Sequence, residues 1–166
     1  MKIRFITVGG TIDKVYFDAL SEYQVGTPGV ERLLQELPLA FDYVVESVLR
    51  KDSLEMTDTD RTLVVDAVRR SPESKIIITH GTDTMIRTAK LLEGVTDKVI
   101  VLTGAMQPAG FVHSDALFNV GTAVGAVNAK ASGVFIAMNG RIFDPDSARK
   151  NRERGMFEST ADSADC

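Results

Sequence analysis

After the segment Lys75–Thr79 the spacing of apolar residues changes from that of a strand to that of a helix. This change constrains the fold more than any other feature of the sequence. Three consecutive isoleucines, residues 76–78, are typical of a strand that is buried on both faces. After Gly81 the apolar residues recur at helical spacing, so a strand leads through a tight turn into a helix. Thr82 or Asp83 is predicted to begin that helix, where free backbone N–H groups favour negative charge. An Asp there contributes little to packing, but a carboxylate beside a hydroxyl is typical of a catalytic pair.

The same alternation of strand and helix runs through the chain. Strands are predicted at residues 1–8, 41–49, 75–79, 98–103, 133–139 and 141–143, and helices after residues 28, 57, 82 and 114. This order predicts an α/β fold with three layers, in which a mainly parallel sheet carries helices on both faces, as in Rossmann-like and flavodoxin-like domains. Residues 1–158 are predicted to form one domain, with residues 13–27 irregular and residues 159–166 a disordered tail.

Composition argues against several classes of function. The net charge of −4 comes with no basic stripe, so nucleic acid is not an expected partner. No apolar run reaches membrane-spanning length and no signal peptide is recognised, so we expect no membrane association and a cytoplasmic location. The single cysteine, Cys166, cannot form an internal disulfide. No cluster has metal-ligand spacing and the glycine-rich turns fit neither a phosphate loop nor a dinucleotide site, so we expect no metal and no cofactor.

Polar residues follow several of the predicted strands directly. Thr11, Ser53, the pair Thr82–Asp83 and Gly104 each stand where a strand ends, and Lys150 lies in the polar C-terminal segment. Because the carboxyl ends of parallel strands meet at one edge of the sheet, these residues are expected to converge on one site, which Lys150 would complete.

Three short motifs carry a resemblance to a known family. They are Gly9-Gly10-Thr11-Ile12, His80-Gly81-Thr82-Asp83-Thr84-Met85 and Gly104-Ala105-Met106. In this order, after predicted strands, they resemble the bacterial L-asparaginases that use a threonine nucleophile. The resemblance extends over residues 3–158 and corresponds to the N-terminal domain of that family.

The resemblance implies a role for individual residues. Thr11 matches the nucleophile, Tyr23 the tyrosine that closes over the site, and Lys150 the lysine that completes a set with Thr82 and Asp83. Ser53 matches the serine that holds the substrate's α-carboxylate. The implied substrate-binding positions are Gly10, Ser53, Leu54, Gly81 and Ala105.

Simpler structural roles stand beside these functional ones. Thr82–Asp83 is also a plain helix start, and Thr11 is also a turn residue. A loop aromatic such as Tyr23 often only covers the core, Ser53 also suits a simple turn, and a lysine such as Lys150 is common on solvated surface.

The expected chemistry is hydrolysis of a small amide or amino-acid-like substrate. A threonine hydroxyl is a weak nucleophile, so it needs a base, and the departing ammonia needs a proton. A lysine held between a threonine and an aspartate can serve as that base if its pKa is lowered, while backbone N–H groups near Thr82 stabilise an oxyanion. The residue types leave open which threonine attacks first, and double displacement through Thr11 is what the resemblance implies.

Two departures from the family pattern affect the expected specificity. Leu54 stands where the family has Gln or a second Ser, and an apolar side chain cannot bind an ammonium. The family's second domain, which completes the pocket in family dimers, has no counterpart in this sequence. We therefore expect a homodimer or higher homo-oligomer and weak recognition of a free α-amine. The alternatives are a small-carboxylate-binding or regulatory module without turnover, and a subunit that needs a separate partner.

Overall fold

A six-stranded sheet forms the centre of the molecule. The computed structural model describes residues 1–163. The strand order in this sheet is β4-β1-β5-β6-β7-β8. The first five strands of that order are parallel, and the last is antiparallel to β7. The bounds of all strands are β1 Lys2–Thr7, β2 Lys14–Phe17, β3 Glu22–Val25, β4 Asp42–Ser47, β5 Lys75–Thr79, β6 Val99–Thr103, β7 Gly133–Met138, β8 Arg141–Phe143, β9 Ala148–Asn151 and β10 Met156–Ser159.

Four α-helices cover the two faces of this sheet. They are α1 Gly29–Gln35, α2 Asp58–Arg70, α3 Met85–Leu92 and α4 Ala116–Ala129. Apolar residues of α1 and α4 pack with one set of strand residues, and those of α2 and α3 pack with the residues that point the other way. The predicted three-layer α/β fold with a mainly parallel sheet is thereby confirmed. None of the helices in residues 1–163 combines the length and the apolar character that crossing a bilayer requires.

Two antiparallel hairpins lie outside the central sheet and differ from the sequence prediction. The segment 13–27, predicted as irregular, contains the β2–β3 pair, in which the rings of Tyr16 and Tyr23 lie 5.4 Å apart. The polar segment after residue 144 contains the β9–β10 pair. Both hairpins are short and largely polar or exposed, so neither has the buried apolar run that reveals the central strands.

The described structure continues past the predicted end of the domain at residue 158. Ser159 is the last residue of β10, and Thr160–Ser163 form a short 3-10 helix. Residues 164–166 of the predicted tail, which include Cys166, lie outside the described residues, and disorder of the tail stays a prediction.

The first turn of α2 forms as the sequence indicates, but that of α3 does not. Thr57 and Asp60 make the reciprocal hydrogen bonds of a capping box at the start of α2. The N-cap of α3 is Thr84, so Thr82 and Asp83 belong to the preceding turn and do not begin the helix as predicted. Lys150 instead donates hydrogen bonds to Thr82 Oγ1 and Asp83 Oδ1.

The side chain of Phe157 fastens the β9–β10 hairpin to the core. It is completely buried with the apolar residues beneath α2 and α3. We expect Phe157→Ala to lower the free energy of unfolding by about 3–5 kcal/mol, the usual cost of removing a buried aromatic ring. Phe118→Ala removes a ring that is 63% exposed and serves as the control, with a change below about 0.5 kcal/mol. Urea unfolding gives the free energy of unfolding of both variants. A loss for Phe157→Ala as small as that for Phe118→Ala would show that Phe157 does not anchor the hairpin.

Candidate active site

Three loops meet at the carboxyl edge of the sheet with no space between their backbones. Gly10 has a φ of +92°, and a Cβ on it would lie 2.4 Å from the Cα of Gly81. A Cβ on Gly81 would lie 2.6 Å from the side chain of Ser53. Only glycine fits at either position. Thr11 and Thr82 are the next residues after these two glycines, so the contact brings the two threonine-bearing turns together.

A fourth loop, residues 104–107, is fixed by two side chains of α4 and the turn before it. The buried amide of Asn119 donates to the carbonyl oxygen of Gly104 at 3.0 Å. The carboxylate of Asp115 accepts hydrogen bonds from the backbone N–H groups of Met106 and Gln107. Asp115 precedes the helix as the sequence indicates, but it makes no capping hydrogen bond because its oxygens are used by this loop.

Lys150 joins the site from the β9–β10 hairpin. Its Nζ donates to Thr82 Oγ1 at 2.8 Å and to Asp83 Oδ1 at 2.9 Å. The Thr82 residue is only 5% exposed, and the lysine side chain is 16% exposed. The three polar groups thus form a compact, partly desolvated cluster in which the ammonium bridges a hydroxyl and a carboxylate. Arg152 adds a second cation, with Nη2 3.2 Å from the same Asp83 oxygen.

The hairpin that carries Lys150 is held by a buried carboxylate that the sequence pattern does not reveal. Glu158 accepts hydrogen bonds from Arg149 at 2.9 Å, from Arg154 at 2.8 Å and from the amide of Asn151. These contacts pair the two strands around Lys150 and fix the direction of its side chain. The sequence shows only that this segment is rich in charged residues.

Ser53 is buried at the start of a short 3-10 helix, and a second buried cation holds its loop. The backbone oxygen of Ser53 accepts from Thr84 Oγ1 at 2.9 Å, and Arg61 donates to the same Thr84 hydroxyl at 2.9 Å. Arg61 is 1% exposed and also donates to the carbonyl of Met56. The sequence gives no sign of this role, because Arg61 stands among ordinary polar residues of an amphipathic helix.

The remaining predicted site residues lie around this centre in different environments. Tyr23 is on β3, half-exposed, and its ring lies 5.9 Å from that of Phe111. Thr11 is partly exposed in a 3-10 turn, and Leu54 is 66% exposed beside Ser53. Ala105 is buried in the core, so only its backbone can face a ligand.

Asp52 is the charged neighbour of Ser53. It accepts from the backbone N–H of Leu54 at 3.1 Å and forms an ion pair with Lys14 at 2.9 Å. Burial opposes ionisation, but the hydrogen bonds from Lys14 and Leu54, together with the charges of Lys14 and Lys150, hold the pKa of the Asp52 carboxyl below its usual range. The carboxylate therefore stays ionised and fixes the loop from the hairpin side.

Two titratable groups are buried beside the turns that carry Thr11 and Thr82. Burial lowers the pKa of His80 to about 4, and the ring contacts the carbonyl of Gly81 and the hydroxyl of Thr88, each at 2.8 Å. Burial raises the pKa of Asp13 to about 6, although the N–H of Gly29 donates to it at 2.7 Å. Neither role has a signal in the sequence, where His80 stands out only as part of a motif and Asp13 not at all.

The arrangement is suited to proton transfer next to an acyl centre. A lysine between a hydroxyl and a carboxylate can move a proton along the line from Thr82 to Asp83. No group of three or more His, Cys, Asp or Glu side chains in residues 1–163 is placed to hold a metal ion.

The two buried titratable groups are expected to oppose each other in the pH dependence of stability. Asp13 favours the folded state below about pH 4 and loses that contribution as pH rises through 6. His80 favours it above about pH 6.5 and loses that contribution as pH falls through 4. Asp13→Asn should therefore gain stability relative to the wild type from pH 4 to pH 6, by up to about 3 kcal/mol. His80→Gln should lose stability relative to the wild type as pH rises from about 4 to about 6.5.

Urea unfolding at pH 4.5 and pH 7 tests this pair of variants. The quantity to compare is the change in each variant's free energy of unfolding between the two pH values, because a loss of packing that does not depend on pH then cancels. Profiles parallel to that of the wild type for both variants would contradict the two pKa shifts.

Comparisons with known proteins agree with this fold and these motifs. The family model described as asparaginase, N-terminal, matches residues 2–163. The chain is 34% identical over 153 residues to L-asparaginase 2 of Escherichia coli, covering 86% of this chain and 44% of that protein. It is 30% identical over 154 residues to L-asparaginase 2 of Bacillus subtilis, covering 84% and 41%.

A solved structure shows the same architecture. The thermostable L-asparaginase from Thermococcus kodakarensis superposes with a TM-score of 0.83 at 24% identity, covering 96% of this chain and 51% of that one. The chain spans about half the length of the relatives it matches, 41% to 51% for these three. Since the family model covers nearly all of the sequence, this chain belongs to the asparaginase family, in the region that corresponds to the family's N-terminal domain.

Proposed function

We propose that the protein hydrolyses the side-chain carboxamide of a small carboxylate, such as L-asparagine or a related amide, through Thr11. The observation that carries this proposal is the Lys150 ammonium between Thr82 Oγ1 and Asp83 Oδ1, 2.8 and 2.9 Å away. This cluster lies on the turn whose Gly81 contacts Gly10, next to Thr11. A purely structural turn has no need of a lysine brought in from a separate hairpin.

In the first half-reaction the Thr11 hydroxyl gives up its proton to a base of the site, and its oxygen adds to the amide carbon. The tetrahedral intermediate collapses when the C–N bond breaks, and the nitrogen takes up a proton and leaves as ammonia. The product on the protein is an ester of Thr11. Thr82, Lys150 and Asp83 supply the path along which these protons move.

In the second half-reaction water attacks the ester. The water loses a proton to the same cluster, the bond to Thr11 breaks, and the threonine oxygen regains its proton. The net change is one amide and one water converted into one carboxylic acid and one ammonia, so the reaction uses only the groups of the chain and water.

Ser53 is the proposed contact for the substrate's carboxylate. It is held beside Gly81 by the contact between its side chain and the glycine backbone, and its loop is fixed by Thr84. The neighbouring Leu54 side chain offers no acceptor for an α-ammonium group. A substrate with a carboxylate and without a free amine therefore matches this part of the site best.

One observation favours the rival function, a binding module that holds a small carboxylate without turnover. Within the described residues, the Thr11 hydroxyl makes no hydrogen bond to a base. Hydrogen bonds of catalytic groups often form only in the complex with substrate, so this geometry still permits turnover. Release of ammonia from a panel of amides distinguishes the two functions.

Self-association and a cytoplasmic location stay predictions.

Replacing either threonine is expected to abolish turnover while leaving the fold intact. Thr11→Ala removes the nucleophile, and Thr82→Val removes the hydroxyl that Lys150 contacts. Both should lower kcat by a factor of about 1000 or more, as is usual when a nucleophile or its partner is lost. Thr62→Ala, on the exposed side of α2, is the matched control and should keep full activity. Wild-type turnover by Thr11→Ala would show that the nucleophile is assigned to the wrong residue.

The des-amino analogue of asparagine, succinamate, is expected to be a better substrate than L-asparagine. An ammonium that loses water on binding without gaining a partner is penalised, and the apolar Leu54 side chain provides no partner. Steady-state kinetics with the two amides side by side give the ratio of kcat/KM. Leu54→Gln should shift that ratio toward L-asparagine by restoring a polar contact. A higher kcat/KM for L-asparagine in the wild type would mean that another group receives the ammonium.

A further inference from the structure

A cavity of about 450 Å³ opens next to Ser53, between the β2–β3 hairpin and the loop that follows β4. Asp52 and Leu54, the two chain neighbours of Ser53, both line it, and so does Tyr23. The cavity is therefore adjacent to the place where the proposed substrate carboxylate binds. Its size is within the usual range for small-molecule pockets.

The walls of this cavity combine apolar surface with charges. Tyr23, Val25 and Leu54 supply the apolar part, and the lining also includes the Lys14–Asp52 ion pair, 2.9 Å long. Because that pair is mutually neutralised, it gives the cavity no net charge. The charge that a ligand meets comes from Arg50 and Glu55.

Arg50 is exposed and makes no hydrogen bond or ion pair with any residue in the part of the chain that the structure describes. By contrast, Arg61, Arg149 and Arg154 each donate hydrogen bonds to oxygen acceptors. A guanidinium that lines a pocket with its donors unused is suited to bind a carboxylate in two parallel hydrogen bonds.

We propose that this cavity is a subsite for a carboxylate-bearing acyl group on the substrate's α-nitrogen, and that Arg50 is its specificity-determining residue. The proposal rests on the proposed function and names its substrate class: N-acylated asparagine amides whose acyl group ends in a second carboxylate. Acylation removes the ammonium that Leu54 cannot accept. The acyl chain then lies against Tyr23 and Leu54, and its terminal carboxylate reaches Arg50.

Glu55 restricts which anionic acyl groups this subsite accepts. Its carboxylate lines the same cavity and repels a second negative charge, so it selects for acyl groups whose carboxylate reaches the guanidinium and disfavours others. Removing Glu55 should therefore strengthen binding of anionic acyl groups, whereas removing Arg50 should weaken it.

Two compounds of equal chain length test the subsite. N-succinyl-L-asparagine carries the second carboxylate, and N-butanoyl-L-asparagine is the neutral control. For the wild type we expect a higher kcat/KM with the succinyl compound. Arg50→Gln should reduce that value by about tenfold or more, as for the loss of a charged hydrogen bond, and leave the butanoyl compound unchanged. Arg50→Lys should restore part of the loss, Glu55→Gln should raise the succinyl value, and Arg69→Gln on the exposed side of α2 is the matched control.

Binding of the reaction products separates this inference from the proposed function. N-succinyl-L-aspartate and N-butanoyl-L-aspartate bind without turnover, and titration calorimetry gives both affinities. If no amide releases ammonia, the proposed function fails, but tighter binding of the succinyl product that is lost in Arg50→Gln still supports the subsite. If amides are hydrolysed and Arg50→Gln affects the succinyl and butanoyl compounds equally, the subsite is wrong and the proposed function stands.

Discussion

The close contact of Gly10, Gly81 and Ser53 is the constraint on which the site depends. Each of these residues follows a different strand of the sheet, and a Cβ on either glycine would lie within 2.6 Å of the next loop. The strands bring their carboxyl ends to one edge, and the missing side chains let the loops pack directly on one another. The positions of Thr11 and Thr82 are consequently set by a backbone contact, which is less variable than a side-chain rotamer, and the buried Ser53 side chain packs against Gly81.

Around this contact, buried polar side chains fix each loop from behind. Arg61 and Thr84 hold the loop of Ser53, and Asn119 and Asp115 hold residues 104–107. These side chains need not contact a substrate. By satisfying backbone oxygens and N–H groups that would otherwise be buried without partners, they make one loop arrangement more stable than the alternatives.

The sheet could be predicted from the sequence, but the hairpins and the internal contacts could not. Lys75–Thr79 is recognisable because it is buried on both faces and therefore apolar throughout. The β9–β10 hairpin is stabilised by one ring, Phe157, and one carboxylate, Glu158, so its composition is that of a polar tail. Periodicity likewise cannot show that Thr82 and Asp83 are engaged by a lysine 68 and 67 residues away, or that α3 begins only at Met85. The convergence on one edge was predictable because it follows from parallel strands alone.

The placement of Lys150 on a peripheral hairpin has a consequence for how stability and chemistry are related. Thr11, Thr82 and their glycines lie in turns that directly follow strands of the central sheet, whereas the lysine depends on Phe157 and Glu158 to reach Thr82 and Asp83. Phe157 and Glu158 are supported by a hydrogen bond from the Phe157 N–H to the Asn139 side chain, 2.8 Å long. A change that loosens these anchors is expected to move Lys150 away from Thr82 without unfolding the sheet. Arg152 opposes such a movement, since it places a second cation on the same Asp83 oxygen. The carboxylate thereby binds the hairpin at two points, and the ionic contact that positions the lysine also keeps the hairpin closed over the site.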